Sequence, residues 1–114
     1  MAIPSTCILK FGASWCGPCK AIQPFVDKLA TEEGATLVNV DVDSDQLDLA
    51  TKYDVAALPT IVFLVNKNEV GRVVGADRNK VSEAMDKFKK YKDKSQERVG
   101  NQFYLPTTKD ATIR

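Results

Sequence analysis

The chain has no histidine, only three cysteines, and no apolar run long enough to cross a bilayer. Lacking histidine, it has neither imidazole acid–base chemistry nor histidine-based metal sites. Three cysteines cannot complete a four-thiolate zinc site within one chain, and they are too few and too oddly numbered for a disulfide framework. An excess of one charge is also missing. The 16 basic and 15 acidic residues leave a net charge of +1, so no overall field gathers nucleic acid or an anionic membrane. One local basic run, Lys87, Lys89, Lys90, Lys92 and Lys94 with Asp86 and Asp93 between, reads as a solvated helix face. The opening residues, Met1 to Thr6, show no basic segment leading into an apolar stretch, and the expectation is a cytoplasmic protein with no membrane or nucleic-acid partner.

What is present is apolar material for a core. Hydrophobic residues make up 44% of the 114, enough for one compact domain without staples. Cys7 to Phe11 reads as a strand that is apolar except at Lys10. A first helix opens within Trp15-Cys16-Gly17-Pro18-Cys19 and runs to about Glu33, with Ala21, Ile22, Phe25, Val26 and Leu29 as its buried stripe and Gly34 as its stop. Thr36 to Asp43 is a second strand, apolar enough to be covered on both faces. Asp45 to Tyr53 is a short helix capped by Ser44 or Asp45, with Leu47, Leu49 and Ala50 available for packing. Thr60 to Val65 and Val70 to Val74 are strands joined at hairpin spacing through residues 66 to 69. Asn79 to about Lys92 is a last helix on Val81, Ala84, Met85, Phe88 and Tyr91. The order β-α-β-α-β-β-α implies an α/β fold in which two parallel crossovers and an antiparallel hairpin build a mixed four-stranded sheet flanked by three helices. The domain is drawn at 1–94, and 95–114 is a C-terminal tail, disordered or packed on the sheet edge.

Cys16 and Cys19 carry the chemistry. Two cysteines with two residues between them at the first turn of a helix close a small disulfide with little backbone movement. Free N–H groups and the positive end of the helix dipole favour a thiolate at Cys16. Lys20 adds a positive charge nearby. Cys19, one turn further in, is expected to be less exposed. That asymmetry makes Cys16 the nucleophile on a substrate disulfide and Cys19 the thiol that resolves the mixed disulfide. Pro18 stiffens the interval and starts the helix without needing an N–H partner. Trp15 is either an apolar platform beside the nucleophile or a core anchor. A lone C-x-x-C resembles half a zinc site, but the other half is missing here and the motif lies between a strand and an amphipathic helix. Cys7 is separated from Cys16 by more than roughly 20 Å of extended chain, and reads as a core thiol. No nucleotide, flavin or other cofactor motif is present, so electrons must come from a partner.

Phe11-Gly12-Ala13-Ser14-Trp15-Cys16-Gly17-Pro18-Cys19-Lys20, then Val40-Asp41-Val42-Asp43, Leu58-Pro59-Thr60, Asn68-Glu69-Val70 and Val74-Gly75-Ala76 resemble the thioredoxin family over residues 7 to about 92. The resemblance implies a thioredoxin-like fold and a protein-disulfide reductase fed by a thioredoxin (flavin) reductase or a glutathione-type donor. It implies that Pro59 is a cis-proline packed on the active-site disulfide, where the residues alone suggest only a helix-to-strand stop. It implies that the Leu58 backbone pairs with a bound substrate chain, and that Trp15, Gly75 and Ala76 line an apolar docking surface.

Three departures stand out. The family's opening strand and helix are absent, so the fold is truncated and residues 36 to 43 become a sheet edge, for which residues 99 to 105 are a candidate cover. Lys10 stands where the family has a buried aspartate, and Asn39 approximately where that aspartate's lysine partner stands. Lys10 either lies buried near the sulfurs and makes the pair more oxidising, or snorkels to solvent. Gly12 takes a position that varies in the family and implies nothing. Two rival functions are a glutaredoxin-like oxidoreductase and a non-enzymatic redox-sensing or scaffold protein.

Overall fold

An apolar segment interrupted only by Lys10 becomes one of the two central strands of the sheet. The computed structural model describes residues 3–45 and 47–99. Strand β1 (Cys7–Gly12) is buried at all six positions. It is followed by α1 (Gly17–Glu33), β2 (Leu37–Asp41), a 3-10 turn (Val42–Ser44), α2 (Leu49–Lys52), β3 (Thr60–Val65), β4 (Asn68–Val74) and α3 (Arg78–Val99). The four strands lie in the order β2-β1-β3-β4.

The sheet is mixed, as expected, but only one crossover is parallel. β2 runs parallel to β1, with Ile8 opposite Leu37 and Gly12 opposite Asp41. β3 runs antiparallel to β1, with Phe11 opposite Thr60, and β4 antiparallel to β3. The helix between β2 and β3 has four residues, about 6 Å of rise, too little to carry the chain back along the sheet. β3 therefore starts at the end where β2 stops and runs the other way. In consequence Gly12, Asp41, Thr60 and Val74 all lie at one end of the sheet.

Other differences are local. α1 buries Cys19, Ile22, Val26 and Ala30, with Phe25 and Leu29 packed at the margin, while Ala21 is exposed. Gly34 closes α1 in the left-handed region at φ 65°, where a side chain is disfavoured, and its N–H reaches back to the last turn. The expected second helix shrinks to α2 because Asp48 takes left-handed backbone at φ 54°, while the Asp45 carboxylate does serve the helix start as expected, accepting from the N–H groups of Leu49 (3.0 Å) and Ala50 (2.7 Å). Leu49 is buried there and Leu47 exposed. The hairpin connection is two residues rather than four. Asn66 and Lys67 both take positive φ (52° and 71°), the backbone that matches strand twist, and Val65 pairs with Asn68.

Two apolar clusters sandwich the sheet. Under α1 and α3 lie Ile8, Ile22, Val26, Ile61, Phe63, Val73, Val81, Met85 and Phe88. On the other face lie Cys7, Leu9, Phe11, Val40, Leu49, Val62 and Leu64. Strand alternation puts Lys10 on the same face as Ile8, beneath α1. β2 is an edge strand, exposed at Asn39 and Asp41, whose polar side chains blunt it against further pairing. α3 continues to Val99, past the expected end near Lys92, and Tyr91 on it is exposed. Lys92 and Lys89 pair with Glu33 at the end of α1 (3.9 and 3.5 Å). Residues 100 to 105 of the segment named as an edge cover, and the rest of the tail to 114, lie outside the described residues.

Candidate active site

The loop from Ala13 to Cys16 leaves the end of β1 and feeds α1. Cys16 is the N-cap residue of that helix, in extended geometry, and its sulfur accepts a hydrogen bond from the Cys19 N–H at 3.2 Å. Its own N–H donates to the Ala13 carbonyl at 3.1 Å. Pro18 sits in the first turn, where its missing N–H costs nothing. Gly17 is exposed, and a Cβ there would meet nothing within 4 Å, so the loop needs no glycine for space at that point. Cys16 and Cys19 are joined as a disulfide with Cα atoms 5.3 Å apart.

Exposure does not separate the two sulfurs as the sequence suggested: Cys16 is 5% exposed and Cys19 3%. Their surroundings do. Cys16 lines a groove of about 550 Å³ with Trp15, Gly17, Pro18, Val42, Val55, Ala56 and Leu58, whose side chains are all apolar. Cys19 instead lines a cleft of about 710 Å³ with Lys10, Gly12, Lys20, Asp27, Asn39 and Asp41. The disulfide thus stands between a groove of apolar side chains and a cleft edged by charged ones.

Trp15 is 68% exposed, so it is not a core anchor. Its indole N–H donates to Asp43 Oδ2 at 2.9 Å, which holds the ring beside the groove. The Leu58–Pro59 peptide is cis, and Pro59 is fully buried. The Pro59 carbonyl accepts from Gly75 N–H at 2.8 Å, tying the end of β4 to the start of β3. Gly75 has φ 100°, a backbone that favours glycine. Leu58 is half-buried and lines the groove; Ala76 is exposed and is not among its walls. Lys20 is exposed on the rim of the polar cleft.

Lys10 does not snorkel. It is 4% exposed, and burial holds its pKa below the usual lysine range, partly offset by the Asp27 carboxylate across the cleft. Because the unfolded chain takes up this proton first as pH falls, Lys10 weighs against folding below the ordinary lysine pKa of about 10.4 and not above it. Oxidised Lys10→Met protein is therefore expected to unfold at higher denaturant than the wild type at pH 7, and the gap should close toward pH 10. A gap that is the same at both values would refute this.

Cys7 is wholly buried in the second cluster, its Sγ 3.4 Å from the Pro4 carbonyl, and burial pushes its thiol pKa up. It should resist iodoacetamide in the native oxidised protein and take one label per chain only after unfolding, as intact mass would show. Two site residues escaped sequence reasoning. Asp43 meets Trp15 only in the fold, 28 residues away. Gly12 lies where a Cβ would come within 3.3 Å of Cys19 Sγ and 3.5 Å of Lys10 Nζ, so its lack of a side chain lets these two groups share one space. The only hint was an unexplained glycine at the end of a strand.

Comparison with known proteins agrees with this geometry. A family model described as Thioredoxin matches residues 3–87. The thioredoxin of Echinococcus granulosus is 44% identical over 77 residues, 67% of this chain and 71% of that protein. Thioredoxin-2 of Saccharomyces cerevisiae is 39% identical over 79 residues, 68% of this chain and 75% of that one. Among solved structures, reduced Schistosoma mansoni thioredoxin pre-protein superposes with a TM-score of 0.67 at 40% identity, covering 74% of this chain and 79% of its own. No helix among the described residues is long and apolar enough to cross a membrane. The chain belongs to the thioredoxin family, and Cys16 and Cys19 stand at its active-site position as the redox pair of a dithiol–disulfide oxidoreductase.

Proposed function

We propose that this oxidoreductase works in the cytoplasm as a reductant of protein disulfides, with Cys16 as nucleophile, Cys19 as resolving thiol, and a thioredoxin reductase or glutathione-type system as electron donor. The observation that carries the reading is the division of the site: Cys16 faces an apolar groove that can take a substrate chain, and Cys19 faces away from it.

The reduced Cys16 thiolate sits at the N-cap of α1, where the orphan N–H groups of the first turn stabilise negative charge. It attacks the substrate disulfide, one new S–S bond forms, and the first substrate sulfur departs as a thiolate. Cys19 then attacks the Cys16 sulfur and expels the second. Trp15 and Leu58 hold the substrate, Leu58 through its backbone, while Pro59 and Gly75 fix the loop that presents Leu58. Gly17, Pro18 and Lys20 shape the first turn, and Lys10 supports Cys19 from below. Residues 1–94 are the working domain in this reading, with 95–114 as an appended tail.

The test is reduction of insulin by dithiothreitol, followed as precipitation of the freed chain. A catalytic amount of this protein is expected to shorten the lag and raise the rate. Binding of insulin without acceleration would mark a scaffold and overturn the proposal.

A further inference from the structure

Buried charges in folded proteins are paired or hydrogen-bonded, because an ion taken out of water without a partner is strongly disfavoured. Lys10 departs from that rule. It is 4% exposed and makes no hydrogen bond or ion pair among the described residues. Asp27 acts on it only through space, from an exposed position on α1. Cys19, which lines the same cleft, is tied into an uncharged disulfide in the oxidised protein.

The side chain is not sealed in. Lys10 lines the cleft of about 710 Å³, and its Nζ lies 3.5 Å from the point where a Gly12 Cβ would stand, so the glycine leaves the space beside it open. Ser14 and Asn39, neutral side chains that can donate, share the walls. Lys20 and Asp27 from α1 and Asp41 from β2 stand exposed around the cleft, and Gln23 donates to Asp27 Oδ1 at 2.7 Å.

We propose that this cleft binds a small monovalent anion, a halide or a monocarboxylate, seated against the Lys10 ammonium. An ammonium has three donors and no acceptor, and Lys10 spends none of them on the described residues, so an anion entering from solvent supplies both the hydrogen-bond acceptor and the missing countercharge. The volume lies in the ordinary range of small-molecule sites and admits a carboxylate as well as a halide. The exposed groups select for single charge: one lysine stands there against two aspartates, which repel a dianion more strongly than a monoanion. The site lies apart from the Cys16 groove, whose side chains are apolar, and its occupation does not depend on turnover.

The test uses the oxidised full chain at about pH 6, far below the ordinary lysine pKa, with chloride and acetate as probes. Chloride binding is read from the NMR line width of chloride, and acetate binding from saturation transfer to its methyl protons. Wild-type protein is expected to give a signal with at least one probe, and Lys10→Met to lose it. A response to chloride alone identifies a halide site, and a response to acetate identifies a carboxylate site. Asp27→Asn keeps the ammonium and removes a repelling carboxylate, so it should tighten binding by up to about fivefold. Acetate should displace chloride better than sulfate does at matched ionic strength if the site takes carboxylates. Silence from both probes, equal signals from wild type and Lys10→Met, or weaker binding by Asp27→Asn would overturn the proposal, and none of these results bears on the redox pair.

Discussion

Cys16→Ser is expected to lower insulin reduction by at least about a thousandfold, because the alcohol cannot supply the thiolate on which exchange depends. The N-cap position at which Cys16 sits accepts serine readily, so the loss should come with little change in stability. Cys19→Ser should behave differently. Its nucleophile remains in the apolar groove, so the first attack proceeds and a covalent enzyme–substrate disulfide accumulates, visible as a mass adduct that dithiothreitol removes. If the two variants exchanged phenotypes, with the adduct on Cys19, the assignment of roles from the two clefts would be wrong.

Phe88→Ala is expected to cost about 3–5 kcal/mol, the range for deleting a fully buried aromatic side chain. Phe88 is 1% exposed, its ring stands 5.8 Å from that of Phe63 at a 56° tilt, and it closes the cluster beneath α1 and α3. A domain of this size has only about 5–15 kcal/mol in total, so the variant should melt well below the wild type or unfold partly at 37 °C. Equilibrium urea unfolding measures it. A loss below about 1 kcal/mol would mean that α3 is not part of the cooperative core.

The parts of this protein that could be read early are those whose signal is local. The C-x-x-C pair between an apolar strand and an amphipathic helix, the glycine at the end of α1 and the hydrophobic stripe of α3 each lie within one short window of chain. What could not be read depends on residues brought together from afar. The reversal at β3 follows from how little chain α2 spends on helix; the Asp45 cap was legible, but nothing local announces the left-handed backbone at Asp48 that cuts the helix short. The two-residue turn at Asn66-Lys67 was masked because lysine is not a residue that announces a left-handed backbone. Lys10 on an apolar strand fitted burial and snorkelling equally, and the packing of α1 over β1 decided between them. The similar burial of Cys16 and Cys19 had the same origin: their difference lies in which cleft each faces, a property of the fold and not of the motif.

The central claim is that Cys16 and Cys19 form a working redox pair and not a structural staple. Its most direct test is the equilibrium of the full chain with glutathione redox buffers, quenched and read by mass. The account predicts a two-electron transition between dithiol and Cys16–Cys19 disulfide, with Cys7 reduced throughout, at a potential no more negative than about −270 mV. A transition below about −300 mV, where structural disulfides lie, or a stable disulfide involving Cys7, would contradict it.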